Sequence, residues 1–180
     1  MEVSIMSERK YPVITISREF GAGGHSIARV VSERLGIPYY DRDFAKQAAA
    51  KSGYSQEDID REGENLSRSA RLLDNILNNS ASYFSSHDAI YQAQKELILQ
   101  FAAEQDCIII GRCADYVLDG TENLVRLFVY AEIEERINKV REKGYFPEED
   151  ILKNIKRIDR ERRDYYRYYT GKGWENLENY

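Results

Sequence analysis

The residues best placed to do chemistry lie early in the chain, in Val13-Ile-Thr-Ile-Ser-Arg-Glu-Phe-Gly-Ala-Gly-Gly-His-Ser26. A short apolar run breaks at Arg18 into a loop holding Gly21, Gly23 and Gly24. Helical spacing then resumes at Ile27, Val30, Val31 and Leu35 and stops at Gly36. A strand, a glycine loop and a helix together aim bare backbone N–H groups and a helix N-terminus at a phosphate. A side chain in the loop would hold the anion away from the backbone. Arg18, Gly21, Ala22, Gly23, Gly24, His25 and Ser26 are therefore the candidate residues for a phosphorylated ligand.

Two loop patterns compete. A dinucleotide fold asks for G-x-G-x-x-G and an acid about 20 residues on. Gly21-Ala-Gly23 and Asp41 suit it, but Ser26 replaces the third small residue. A mononucleotide P-loop asks for G-x-x-x-x-G-K-[ST]. If Gly23 is the last motif glycine, Gly24 takes the lysine position and His25 the hydroxyl position.

A second cluster favours anion handling. Arg160-Glu-Arg-Arg-Asp164-Tyr-Tyr-Arg167 places Arg160, Asp164 and Arg167 at spacings that share one helix face. Two guanidiniums held by a carboxylate grip a phosphate in a fixed fork. Gly111-Arg112, directly after the apolar run Cys107-Ile-Ile-Ile110, adds a third basic position.

Composition sets the frame for these residues. The chain has 180 residues, 42% hydrophobic and 32% charged, with a formal charge of −5. That suits one globular domain with a substantial core. The basic residues concentrate between Lys153 and Gly173, whereas Ser55 to Leu66 is acidic. A local basic cluster on an acidic protein fits a compact anion and argues against a nucleic-acid polymer. No apolar stretch approaches the roughly 20 residues of a membrane helix. Met1 to Lys10 lacks the apolar core of a signal peptide, so a cytoplasmic location is expected. Cys107 and Cys113 are expected to be reduced and structural.

The periodicity predicts alternating elements: a strand over Val13–Ser17 and a helix from about His25 to Leu35. A short piece at Ile37–Tyr40 and a helix around Phe44–Lys51 follow. Polar residues 54–86 carry an amphipathic patch at Leu66, Ala70, Leu73 and Leu77 and read as a helical cover. Beyond them come a helix from about Asp88 to Glu104, strands at 107–110 and Leu124–Tyr130, and a helix bearing Ile133, Ile137 and Val140. The final helix turns Ile151, Ile155 and Ile158 inward and its arginines outward. Helices between short apolar strands indicate an α/β fold with a parallel sheet covered on both faces. The expected organisation is a disordered lead-in over 1–10 and one domain over 11–180, with a helical insertion at about 54–104.

With these motifs in hand, the chain resembles the cytidylate kinase-like family, a branch of the P-loop nucleoside monophosphate kinases. The motifs are Ile14-Thr-Ile-Ser-Arg-Glu-Phe-Gly-Ala-Gly-Gly24, Ile109-Ile-Gly-Arg-Cys-Ala-Asp115 and Tyr168-Tyr-Thr-Gly-Lys-Gly-Trp174. The resemblance implies a P-loop kinase fold that moves the γ-phosphoryl of ATP to a small phosphate-bearing acceptor such as CMP or dCMP. It implies acceptor contacts from Asp41 and Arg112, with lid arginines at Arg160 and Arg167 around Asp164. It also implies that Arg136 touches the transferring phosphate. Ser26 is the nearest hydroxyl for Mg2+, and His25, Arg18 or Arg136 would stand in for the absent P-loop lysine. Arg42, Asp43 and Gln47 depart from the family's residues after Asp41, so Arg42 is an acceptor candidate by its place beside Asp41. Relatives continue into another strand beyond Tyr180, and a homodimer is left open. A nucleotide-binding protein without turnover and an NAD-binding protein are the alternatives. Thermal shift separates them: ATP or ADP with magnesium should stabilise the protein more than NAD. A ligand at about 100 times its dissociation constant adds about 2.7 kcal/mol.

Overall fold

The computed structural model describes residues 10–41 and 81–180, with side chains only from 91 onward in the second stretch. Four parallel strands form the sheet: β1 (Val13–Arg18), β2 (Tyr39–Tyr40), β3 (Ile108–Ile110) and β4 (Leu124–Val129), in the order β2-β3-β1-β4. Around them lie α1 (Gly24–Leu35), α2 (Ala81–Glu104), the short α3 (Ala114–Val117), α4 (Ile133–Lys143) and α5 (Ile151–Thr170). The helix expected from about Asp88 begins earlier, at Ala81. The expected lead-in before Lys10, the helix at Phe44–Lys51 and the cover up to residue 80 lie outside the described residues.

β3 and nearly all of β1 are buried because both sheet faces are covered there, whereas residues of β4 alternate between half-buried and exposed along most of its length. Alternation sends Ile14, Ile16, Ile108 and Ile110 to one face, where Ala28, Val31 and Leu35 of α1 meet them. Val13, Cys107 and Ile109 point to the other face, against Ile98 and Ala102 of α2 and Ala114 and Leu118 around α3. Each such fully buried aliphatic side chain contributes about 1.5–3 kcal/mol. Gly36 ends α1 in the left-handed conformation, φ 66°, its N–H bonded to the Ser32 carbonyl.

The strand order bears on the competing loop patterns. A dinucleotide fold places its second strand directly beside the first, in the order 3-2-1-4. Here β3 separates β1 from β2. This overturns the NAD-binding alternative and agrees with the P-loop kinase fold.

After α5 the chain turns at Gly171 and folds back. Trp174 is buried edge-on against Phe128, and the Tyr180 hydroxyl donates to the Trp174 carbonyl at 2.7 Å. Next to this aromatic cluster sits the buried Asp115, which accepts from the Tyr166 hydroxyl at 2.6 Å. Burial raises the Asp115 pKa above the usual carboxylate value, and the Tyr166 bond only partly opposes that. A carboxyl group with a raised folded-state pKa stabilises the fold fully at acid pH and loses that contribution as pH rises through the folded value. Asp115→Asn keeps an acceptor for Tyr166 without the buried charge. Its melting temperature should exceed the wild-type value near neutral pH, and the gap should close as pH falls below the carboxylate range.

Candidate functional site

The site is built where β1 ends. Glu19 N–H continues the β1–β4 ladder onto the Val129 carbonyl at 2.9 Å, and the chain then leaves the sheet through Phe20 to Gly23. Gly21, at φ +81°, lies flat on α4: a Cβ there would stand 3.0 Å from the Arg136 carbonyl and 3.1 Å from Val140 Cγ2. Gly23, at φ +91°, is the N-cap of α1. Among the described residues no side chain caps this terminus, and no acid lies in its first turn, so its N–H groups and positive dipole end face the cleft.

The loop backbone is clamped by ions. Arg136 of α4 is 5% exposed. Its guanidinium meets Glu19 Oε2 at 2.9 Å and Asp159 Oδ2 of α5, and its Nε donates to the Phe20 carbonyl at 2.8 Å. The other Asp159 oxygen accepts the Phe20 N–H at 2.7 Å. The sequence placed Arg136 at the transferring phosphate. The structure places it under the loop, bound to protein acceptors. Asp159 and Glu19, passed over in the sequence reading, complete the clamp.

Arg18 explains the glycine at the lysine position. A Cβ on Gly24 would lie 2.8 Å from Arg18 Cβ and 2.9 Å from its Cγ. The Arg18 stem therefore occupies the space where a side chain at 24 would begin. Its guanidinium runs on to Gly111, where a Cβ would collide with Nη1. Gly111, Arg112 and Cys113 turn the chain in three successive left-handed residues, φ 71°, 60° and 55°. Such φ values in non-glycine residues store strain and concentrate at functional sites. Arg112 lies over the Tyr165 ring, 5.9 Å from its centroid. Burial pushes the Cys113 thiol pKa up, which keeps it protonated and unreactive.

A cleft of about 640 Å³ opens over the glycine loop. All seven sequence-predicted loop residues, Arg18, Gly21, Ala22, Gly23, Gly24, His25 and Ser26, line it. The far wall comes from α4 and beyond, with Lys139, Glu142, Lys143 and Tyr145, and from Arg162 of α5. His25 Nδ1 stands 3.2 Å from Asp41 Oδ2, so the expected acceptor residue closes on the first turn of α1. Arg42 lies outside the described residues. A second hollow, about 30 Å³, is lined by Arg112, Ser17, Tyr165 and Tyr166, and it shares Arg18 and Arg162 with the large cleft.

The register of α5 differs from the one its charges suggested. Arg160 and Arg167 are exposed and line neither hollow, and Asp164 is half-buried. Arg162 faces inward instead: its Nη1 donates to the Arg18 carbonyl at 3.0 Å and its guanidinium covers the Phe20 ring at 5.6 Å. The signal was present in the apolar stripe. Continued at helical spacing, Ile151, Ile155 and Ile158 lead to Arg162 and the buried Tyr166.

These features define a class: an α/β kinase fold with a glycine loop between the first strand and helix of a parallel sheet. The chain belongs to the cytidylate kinase-like family, whose sequence model matches residues 13–180. It is similar to a cytidylate kinase of Archaeoglobus fulgidus, 24% identical over 160 residues, covering 87% of this chain and 76% of that protein. Its fold is similar to the crystal structure of an uncharacterized protein from Eubacterium ventriosum, with TM-score 0.70 at 23% identity. That likeness covers 94% of this chain and 84% of the other. No helix among the described residues is long and apolar enough to cross a membrane.

The ionic clamp generates a prediction. Removing one partner of a buried pair strands the other and costs about 3–5 kcal/mol, whereas exposed pairs contribute about 0–1 kcal/mol. Asp159→Ala should therefore shift the urea midpoint strongly, and Arg163→Ala, which loses the exposed pair with Glu175, should barely move it.

Proposed function

We propose that this protein transfers the γ-phosphoryl group of ATP to a small phosphate-bearing acceptor, most simply a nucleoside monophosphate such as CMP. The observation that carries the reading is the uncapped N-terminus of α1 and its glycine loop, open to a cleft with cationic walls. Loop N–H groups would bind the donor's phosphates at the helix end. Arg18 and Arg162, common to both hollows, would lie between donor and acceptor, with Arg112 on the acceptor side.

Phosphoryl transfer asks little covalent chemistry of a protein. It needs two anions held in line and the charge on the moving group neutralised. The fixed positions of Arg18 and Arg162 suit that task, since preorganised cations need not rearrange during the reaction. Among the described residues no group of three or more His, Cys, Asp or Glu side chains is arranged to hold a metal. Magnesium commonly arrives on phosphates and keeps several waters, so Ser26, a hydroxyl in the cleft, is enough to fit it. When bound, it would supply charge neutralisation to the outer phosphates.

The test is ADP release measured across nucleoside monophosphates and unrelated hydroxyl acceptors. Release dependent on CMP or dCMP is the expected result. ATP binding without turnover of any acceptor would favour the non-catalytic reading, and no ATP binding would overturn both. Gly23→Val should abolish nucleotide binding with far-UV circular dichroism retained, because a side chain there blocks the approach of phosphate to the loop amides.

A further inference from the structure

We infer that Lys139, on α4, supplies the phosphate-binding cation that the glycine loop itself lacks, gripping the outer phosphates of a nucleoside triphosphate from across the cleft. This assignment rests on the nucleotide reading above. It begins with a steric fact: no lysine can start at position 24, because the Arg18 stem fills the space its Cβ would need, at 2.8 Å. The cation must therefore come from elsewhere.

The arginines in the cleft are held in place by the protein itself. Arg18 ends at Gly111, and Arg162 is held by the Arg18 carbonyl and the Phe20 ring. Lys139 differs. Its Nζ lies 3.6 Å from the point where a Cβ on Gly23 would stand, directly over the N-cap of α1. None of the hydrogen bonds or ion pairs among the described residues uses that ammonium.

Its base is nevertheless well fixed. Lys139 sits between Arg136, clamped to Glu19, Phe20 and Asp159, and the buried Val140, whose side chain packs on Gly21. The same packing that shapes the loop thus sets the distance from the Lys139 backbone to it. The flexible stem then lets a compact ammonium follow the phosphates. An ammonium aimed at the outer phosphates discriminates by phosphate number, which a structural lysine does not.

Isothermal titration of ATP, AMP and inorganic triphosphate, with magnesium at fixed ionic strength, tests the assignment. Lys139→Met should weaken ATP and inorganic triphosphate roughly tenfold to a hundredfold, the value of a charge-assisted contact. AMP affinity and melting temperature should stay close to wild type. Lys139→Arg should restore most of the loss, and Lys153→Met, which removes an exposed charge on α5, should bind all three as wild type does. Unchanged triphosphate affinity in Lys139→Met, or an equal loss for AMP, would overturn the assignment while leaving the nucleotide reading in place. Wild-type protein that binds neither ATP nor inorganic triphosphate would overturn that reading, and this assignment with it.

Discussion

The glycine loop owes its shape to one buried guanidinium. Arg136 and Asp159 hold both polar groups of a single residue: the arginine takes the Phe20 carbonyl and the aspartate takes the Phe20 N–H. Burying such a pair is costly in desolvation and is repaid only where geometry and further hydrogen bonds are good. Here Glu19 provides a second carboxylate, and its own oxygen also accepts the Ala131 N–H at 3.3 Å. Loop, α4 and α5 are consequently one unit. These contacts tie the loop backbone to both helices.

Around that unit the structure trades side-chain volume for cation placement. Gly24 and Gly111 lie far apart in sequence, yet Arg18 touches both: its stem fills the space of a Cβ at 24, and its guanidinium ends beside Gly111, which also turns the chain at φ +71°. The residue pattern that weakened the P-loop comparison is thus the mark of a different arrangement of charge.

Much of this architecture was legible in the residues. The all-apolar Cys107–Ile110 run, the glycine stop at Gly36, and the loop's seven cleft-lining residues follow from periodicity and turn chemistry. What was hidden depends on approach between distant segments. Arg136 reads as a surface lid arginine until Asp159 and Glu19 are brought beside it. The inward position of Arg162 was masked by its more regular neighbours Arg160, Asp164 and Arg167, whose shared face turned out to be another one. Strand order was also invisible, because insertion of β3 between β1 and β2 leaves no local trace.

The parallel ladder has a consequence for how the protein is assembled in time. Ile14 pairs with Ile108 on one side and Val125 on the other, so β1 waits for strands made much later in synthesis. Closing such long loops before any contact rewards them is what slows topologies of this kind. The glycine loop therefore acquires its form late relative to its own synthesis, since its clamp needs Arg136 and Asp159 as well. Under the proposed function, a nucleotide would meet its site only on an essentially finished fold. It would then act by holding the native state once formed.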